Sequence, residues 1–377
     1  MDEMKLKNHN RLRTWVEIDK SKARENYKLF KAYLGPDVKL AAVTKSNAYG
    51  HGLVEYSKLM ESFGADMICV DSIMEARELR LQGVKIPILV MGYTLPINFD
   101  AAKEHDITLA VSSLENLKQI VGYHGVAFHL KFDTGFNRQG FTKNELEEAA
   151  GLLKNNTENL TGVFTHFANA KVPSQREKTD RQLDDFKPIA DKIKSLKPGL
   201  LVHAGATAGA LIYPEARFDM VRVGIGLYGL WPDEPVRQAY QDKLKLKPVL
   251  SWKTIVSEVK RARKGGGVGY RHTSVLERDS NLAVCPVGYW HGYLRALSNK
   301  SAVLIRGKRA PLRGNVSMGM MVVDVTEIKD VRAGDEAVLI GEQGAETVTA
   351  DELANLAGTI NYEIVTRINP YSKRYYL

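Results

Sequence analysis

Eight short apolar runs, separated by longer amphipathic stretches, dominate the chain from residue 15 to about 230. They are VKLAAVTK (38–45), DMICV (66–70), IPILVMG (86–92), ITLAVSS (107–113), AFHLKFD (127–133), GVFTHFA (162–168), LLVHAGAT (200–207) and MVRVGIG (220–226). Each is rich in Val, Ile, Leu or Phe and closes on small or polar residues, as a strand buried on both faces does. The stretches between them read as helices. In SIMEARELRLQG (72–83), Ile73, Ala76, Leu79 and Leu81 mark an apolar face and Gly83 a stop. In DRQLDDFKPIADKIKSLKPG (180–199), Leu183, Phe186, Ile189 and Ile193 recur at helical spacing, and Pro188 is expected to kink or split the segment. Eight β runs alternating with helices is the arithmetic of a (β/α)8 TIM barrel, an α/β fold. An open doubly wound sheet is the competing arrangement on pattern alone.

The pattern changes after about residue 240. VLSWKTIVSEVKR (249–261), NLAVCPVG (281–288), AVLIRGKRAPLRGNVS (302–317), MVVDVTEI (321–328) and EAVLIGEQG (336–344) follow one another with Gly-rich turns, and DELANLAG (351–358) is the first helical pattern among them. The expectation is a barrel over residues 12–240 and a mainly β domain over 241–377, with residues 1–11 open to association with the latter. A chain of 377 residues gives each part enough length for its own core. Lys and Arg number 53 against 44 Asp and Glu, but the charges are mixed and form no basic block, so nucleic acid is not an expected partner. No apolar run approaches the roughly 18–20 residues of a membrane span, so no membrane role is expected. The start, MDEMKLKNHNRLR, is too charged for a signal-peptide core. Cys69 and Cys285 fit no metal spacing and lie in apolar runs, which predicts buried free thiols, no metal and a reducing, cytoplasmic setting.

Barrel enzymes draw their catalytic groups from the C-terminal ends of the strands and the loops just after them. Here those ends carry Lys45, then Lys131, Asp133 and Arg138, then His166, Thr207 and Arg222. Cationic and hydroxyl groups from five strand ends point to a site for an anionic ligand. GIGLYG (224–229) matches GxGxxG after a strand, but Trp231 and Pro232 follow at once where a dinucleotide site needs a helix. Its glycines instead suit close approach of backbone N–H groups to a phosphate. The strongest segment is AAVTKSNAYGHG (41–52). A lysine ending a buried strand is partly desolvated, which favours the free, nucleophilic amine. A lysine that merely snorkels at the rim is the alternative reading.

AAVTKSNAYGHG resembles the pyridoxal-phosphate segment of the alanine racemase family, and further segments extend the resemblance over nearly the whole chain. TWVEID (14–19), HLKFDTGFNRQGF (129–141), TGVFTHFANA (161–170), HAGATAGALIYPEARFDMVRVGIGLYG (203–229), GVGYRHTS (267–274), VGYWHGY (287–293), GNVSMGMMVVDVT (314–326) and TINYEIVTRINP (359–370) occur in the family's order. The resemblance implies a barrel followed by a β domain, a homodimer with its active site shared between subunits, and pyridoxal 5'-phosphate as cofactor. Lys45 then matches the lysine to which the cofactor attaches. Tyr49, Thr207, Gly224, Ile225 and Tyr362 match the phosphate cradle, and Arg222 the partner of the pyridine nitrogen. His166 matches a group beside the cofactor ring. Arg138 matches the group at the phenolic oxygen and the substrate carboxylate, and Lys131 a lysine, often carbamylated, that steadies it. Tyr270 matches a second base supplied by the other subunit, while Met318 and Tyr289 match substrate-side and entrance positions.

Racemisation removes a proton from one face of the α-carbon and returns one to the other, so two acid–base groups are needed, and Lys45 and Tyr270 suit those tasks. The implied activity is racemisation of a small amino acid, with L- and D-alanine as the expected pair. The chain departs from the family pattern at several points. Gly319 stands where Asp usually follows Met318, and Ala206-Thr207 where Asn-Ser is usual. Asn315 replaces Arg, His291 replaces Asp, and Arg271 follows the tyrosine in place of Gly. Gly319, Asn315 and His291 are expected to alter the site floor and entrance, which leaves open a preference for serine or a larger amino acid. A barrel-type decarboxylase with the same cofactor, or a cofactor-binding protein without turnover, are the other readings.

Overall fold

A computed structural model describes residues 12–377. The expected association of residues 1–11 lies outside the described residues. The eight apolar runs form strands β2 (Lys39–Val43), β3 (Met67–Val70), β4 (Ile88–Val90), β5 (Thr108–Val111), β6 (Phe128–Lys131), β7 (Leu160–Phe164), β8 (Leu201–Ala206) and β9 (Met220–Val223). They are parallel in sequence order, and β9 returns to β2, with Lys39 opposite Met220 and Ala41 opposite Arg222. That closure makes a (β/α)8 barrel and rules out the open sheet. Every residue of β3, β4, β6 and β9 is buried, because helices cover the outside while side chains fill the inside.

The connecting helices follow the apolar periodicity, with two differences. Ile73–Leu81 buries Ile73, Ala76 and Leu79, but Leu81 is exposed, since it lies only two positions beyond Leu79 and turns off the face. Arg176–Leu196 is one continuous helix through Pro188 rather than a split pair. Pro188 sits on the exposed face, where water can satisfy the carbonyl its ring leaves unbonded.

Two compact units emerge, one of residues 21–48 and 53–248, the other of residues 12–20, 49–52 and 249–377. The second is built on a mixed sheet in which β10 (Leu250–Ile255) pairs with β18 (Glu336–Gln343), and β11 (Glu258–Ala262) with β14 (Ser280–Cys285). β15 (Ala302–Ile305), β16 (Lys308–Arg313) and β17 (Met321–Asp324) complete its centre. β1 (Thr14–Ile18) falls in the stretch assigned above to the barrel, yet it pairs antiparallel with β10 and parallel with β20 (Lys373–Tyr376). The charged residue of this strand, Glu17, finds a partner there. It meets Lys253 at 2.9 Å, with Glu336 3.3 Å from the same ammonium. Residues 49–52 are tied to the C-terminal end of the chain. Arg374 donates twice to the Gly50 carbonyl, and the Tyr376 hydroxyl donates to that of His51.

Candidate active site

Inside the barrel, polar side chains replace the usual aliphatic filling. Arg222 is 3% exposed. Its guanidinium donates to His203 Nδ1 at 2.6 Å, to the carbonyls of Thr165 and Ala204 at 2.9 Å each, and to His166 Nδ1 at 3.2 Å. Burial pulls its pKa down to about 10, which still leaves it a cation at neutral pH. Since His203 accepts at Nδ1, its proton sits on Nε2 and is donated to His129 Nδ1, 2.8 Å away. Burial and the Arg222 charge push His129 down to about 3 and His203 well below its ordinary value, so both rings are neutral. Gly162 makes this row possible, since a Cβ there would lie 2.7 Å from the His129 ring.

His166 ends up between cations. Burial first, then Arg222, Arg138, Lys131 and Lys45, lower its pKa to about 3, and its ring lies 5.6 Å from that of Phe136. Lys131 donates to Gln139 Oε1 at 3.1 Å, and Gln139 in turn donates to the Ser112 hydroxyl. Burial and the charges of Arg138 and Arg222 bring Lys131 down to about 8. Lys131, Asp133, Phe136, Arg138, Gln139 and His166, with Phe132, line one small cavity. Asp133 offsets only part of this positive charge, raising Lys131 against the pull of Arg138 and Arg222. Burial alone would raise its pKa, but the N–H groups of Gly135, Arg138, Asn137 and Phe136 hold it below the usual carboxylate range, Oδ2 accepting from Arg138 and Oδ1 from the other three. The turn they fix carries Arg138, whose guanidinium stacks 4.1 Å over the Phe136 ring.

Lys45 follows the end of β2 by two residues and is only partly covered. Its side chain is 36% exposed and its ammonium meets Asp71 at 3.2 Å. Thr207 is buried after β8, and its hydroxyl accepts from the Gly224 N–H at 3.2 Å. Ala206 ahead of it caps the short helix Thr207–Ile212 without a side-chain bond, a consequence of the missing Asn. Within GIGLYG, Gly226 is demanded by packing, since a Cβ there would lie 2.4 Å from Phe30.

In the second unit the Tyr49 and Tyr362 rings pair at 5.9 Å. The turn Tyr270–His272 projects Tyr270, 71% exposed, and Asn315 Nδ2 donates to the Tyr270 carbonyl at 2.9 Å. Asn315 thus braces the turn that carries Tyr270. Arg271 has φ 64°, a left-handed conformation that suits the glycine usual there. Tyr289 and Met318 are brought together by backbone bonds, Tyr289 N–H to Ser317 and Trp290 N–H to Met318, while the Met318 side chain is 63% exposed. His291 Nδ1 accepts from the Gly288 N–H at 3.2 Å, which caps the turn that carries Tyr289. A Cβ on Gly319 would meet nothing within 4 Å.

The sequence reading gave no role to His129, His203, Gln139, Asp71 or Glu75. The histidines were visible as polar residues inside apolar strand runs, and Glu75 as the fourth residue of an S-x-x-E pattern. The barrel rim as a whole offers two primary amines, Lys45 and Lys131, the buried cation Arg222, and the Thr207 hydroxyl beside the Gly224 N–H. That donor set fits an anionic, ring-bearing ligand with an acceptor nitrogen and a carbonyl carbon.

Comparison with known proteins agrees. Residues 18–232 match the family model for the alanine racemase N-terminal domain, and residues 249–376 that for the C-terminal domain. An alanine racemase of Halothermothrix orenii is 39% identical over 96% of this chain and 96% of its own length. The crystal structure of alanine racemase from Bacillus anthracis with bound L-Ala-P matches with a TM-score of 0.90 and 34% identity, over 97% of this chain and 95% of that one. Alanine racemase from Streptomyces coelicolor A3(2) matches with a TM-score of 0.91 and 30% identity, over 98% and 99%.

Proposed function

The chain belongs to the alanine racemase family, and on that premise we propose that it interconverts L-alanine and D-alanine with pyridoxal 5'-phosphate as cofactor. The observation that carries the reading is the barrel rim. Four cations from three strand ends, Lys45, Lys131, Arg138 and Arg222, surround neutral His166, against the one nearby carboxylate of Asp133. A dianionic phosphate and a carboxylate substrate suit that unbalanced charge. Bound pyridoxal phosphate supplies the electron sink for the pair left at the substrate α-carbon.

The residues of this chain then divide the work. Lys45 Nζ is the attachment point and the acid–base group for one face of the α-carbon. Tyr270 of the other subunit serves the opposite face in a homodimer. Arg222 holds the pyridine nitrogen. Its guanidinium is permanently charged and fixed by four acceptors, so it gives that nitrogen a hydrogen bond without giving it a proton. The Thr207 hydroxyl and the N–H groups of Gly224 and Ile225 bind phosphate, and Tyr49 and Tyr362 keep the phosphate-binding role that the resemblance gives them. His166, neutral, lies against the ring. Arg138 receives the substrate carboxylate with support from Lys131, while Met318 borders the substrate and Tyr289 the entrance. Among the described residues no helix is long and apolar enough to cross a membrane, and Cys69 and Cys285 are buried free thiols, which support a cytoplasmic setting.

The test is direct. The purified protein should absorb in the visible, borohydride should fix the cofactor to Lys45 by peptide mapping, and L-alanine should lose optical rotation. Lys45→Ala should lower turnover by about 10⁴-fold or more, since both attachment and one base are lost. A label on another lysine would refute the assignment. Carbon dioxide release from the substrate would favour a decarboxylase, and bound cofactor without α-proton exchange a carrier.

A further inference from the structure

Lys45 is followed by an unusual stretch of backbone. Ser46, Asn47, Ala48 and Tyr49 have φ of 56°, 56°, 49° and 52°, four consecutive non-glycine residues in the left-handed region. Such a turn persists only where its surroundings over-determine it. Three anchors are visible. The Ala48 N–H donates to the Thr44 carbonyl at 2.8 Å, Asn47 Oδ1 accepts from the Leu53 N–H at 3.0 Å, and Ser46 N–H donates to Glu75 Oε1 at 2.6 Å.

Glu75 belongs to the helix Ile73–Leu81, where it forms a capping box with Ser72. Its box contact is its longest, at 3.4 Å from the Ser72 N–H. The shorter bonds leave the helix: Oε1 to Ser46, and Oε2 to the N–H of Asp71 at 2.9 Å. Asp71 is the residue whose carboxylate lies 3.2 Å from Lys45 Nζ. One carboxylate therefore fastens both the residue after Lys45 and the residue that holds its ammonium.

We propose that Glu75 is a positioning residue for Lys45, clamping the left-handed turn and the Asp71 loop so that Nζ is held in place for the cofactor and the α-proton. The proposal rests on Lys45 carrying the cofactor, so borohydride mapping of the wild-type holoenzyme comes first. A label elsewhere defeats that reading before Glu75 is tested. Glu75→Gln retains one acceptor oxygen, and its amide NH2 then faces either the Ser46 N–H or the N–H pair of Asp71 and Ser72. Ser72→Ala is the control, because it removes the hydroxyl that accepts the Glu75 N–H at 3.3 Å and leaves the carboxylate free to clamp.

A displacement of about 1 Å at a reacting group is enough to cost about 10²-fold, so Glu75→Gln should lower kcat by about 10- to 100-fold while KM stays within about threefold. The visible circular dichroism of the bound cofactor should change with it. Ser72→Ala should lower Tm and leave kcat and the dichroism at wild-type values. If Glu75→Gln does not fold, Glu75→Asp, shorter by one methylene, should show the same split at reduced size. The proposal is overturned if the Glu75 variant that folds loses Tm alone, or if Ser72→Ala loses kcat to the same degree.

Discussion

Arg222 and Tyr270 are the two extremes of this molecule's chemistry. Arg222 is 3% exposed, and its guanidinium donates to two histidines and two carbonyls. Tyr270 is 71% exposed, and what fixes it is Asn315 at its backbone carbonyl. The same contrast separates Lys131, buried against Gln139, from Met318, whose backbone is bonded and whose side chain is open. In the barrel the core itself orients the functional side chains, so folding and catalysis draw on the same contacts. In the second unit the backbone of each turn is fixed while its side chain is left available to a ligand or a second subunit. Substitutions should therefore cost stability and activity together in the first case, and activity alone in the second.

Between these two regions, the larger effect on turnover is expected at Tyr270. Tyr270→Phe should slow α-proton exchange on one face by about 10²–10⁴-fold, the usual cost of one positioned acid–base group, with little change in the denaturation midpoint. Deuterium wash-in from each enantiomer reads the two faces separately. Equal, small effects on both faces would reject Tyr270 as a base. Mixing Lys45→Ala with Tyr270→Phe subunits should restore activity in the mixed dimer if the site is shared.

Arg222→Met tests the other side of the contrast. It keeps bulk but leaves the His203 nitrogen and the Thr165 and Ala204 carbonyls without their donor. We expect a loss of about 2–4 kcal/mol by chemical denaturation, together with a loss of turnover. Normal stability with impaired turnover would break the link between core and site in the barrel.

Gly319→Asp should fit without strain, because a side chain there meets open space. It restores a negative charge beside Met318 and should shift the kcat/KM ratio of alanine to serine toward alanine by about 1–3 kcal/mol, with no change in stability. An unchanged ratio removes the argument for a relaxed substrate pocket. The smallest effect is expected at Arg271. Arg271→Gly relieves a left-handed side-chain conformation worth about 1–2 kcal/mol, partly offset by chain entropy, for a net gain below about 1 kcal/mol in thermal or denaturant unfolding. A loss of stability would mean that the arginine side chain contributes more than its backbone costs.

Continuous apolar runs such as DMICV and IPILVMG identify strands covered on both faces, and eight of them in order leave few folds to choose from. The resemblance carried by AAVTKSNAYGHG and seven further segments, plus TWVEID at the front, also placed the candidate groups along the chain by residue. Periodicity failed where a neighbour decides: Leu81 turned out of its face, Pro188 did not break its helix, and β1 joined the sheet that offered Glu17 a lysine.

By itself, then, the sequence determined the strand order, the family and the identity of the groups with intrinsic chemistry, because hydrophobic pattern and residue type are local properties. Tertiary structure alone decided how those groups are held. Whether Lys45 is desolvated or paired depends on Asp71, 26 positions away. Whether His166 and His203 are neutral depends first on burial and then on a cation 56 and 19 residues distant. Such charge states and orientations arise from burial and from partners that meet only when the barrel closes, and no local pattern encodes them.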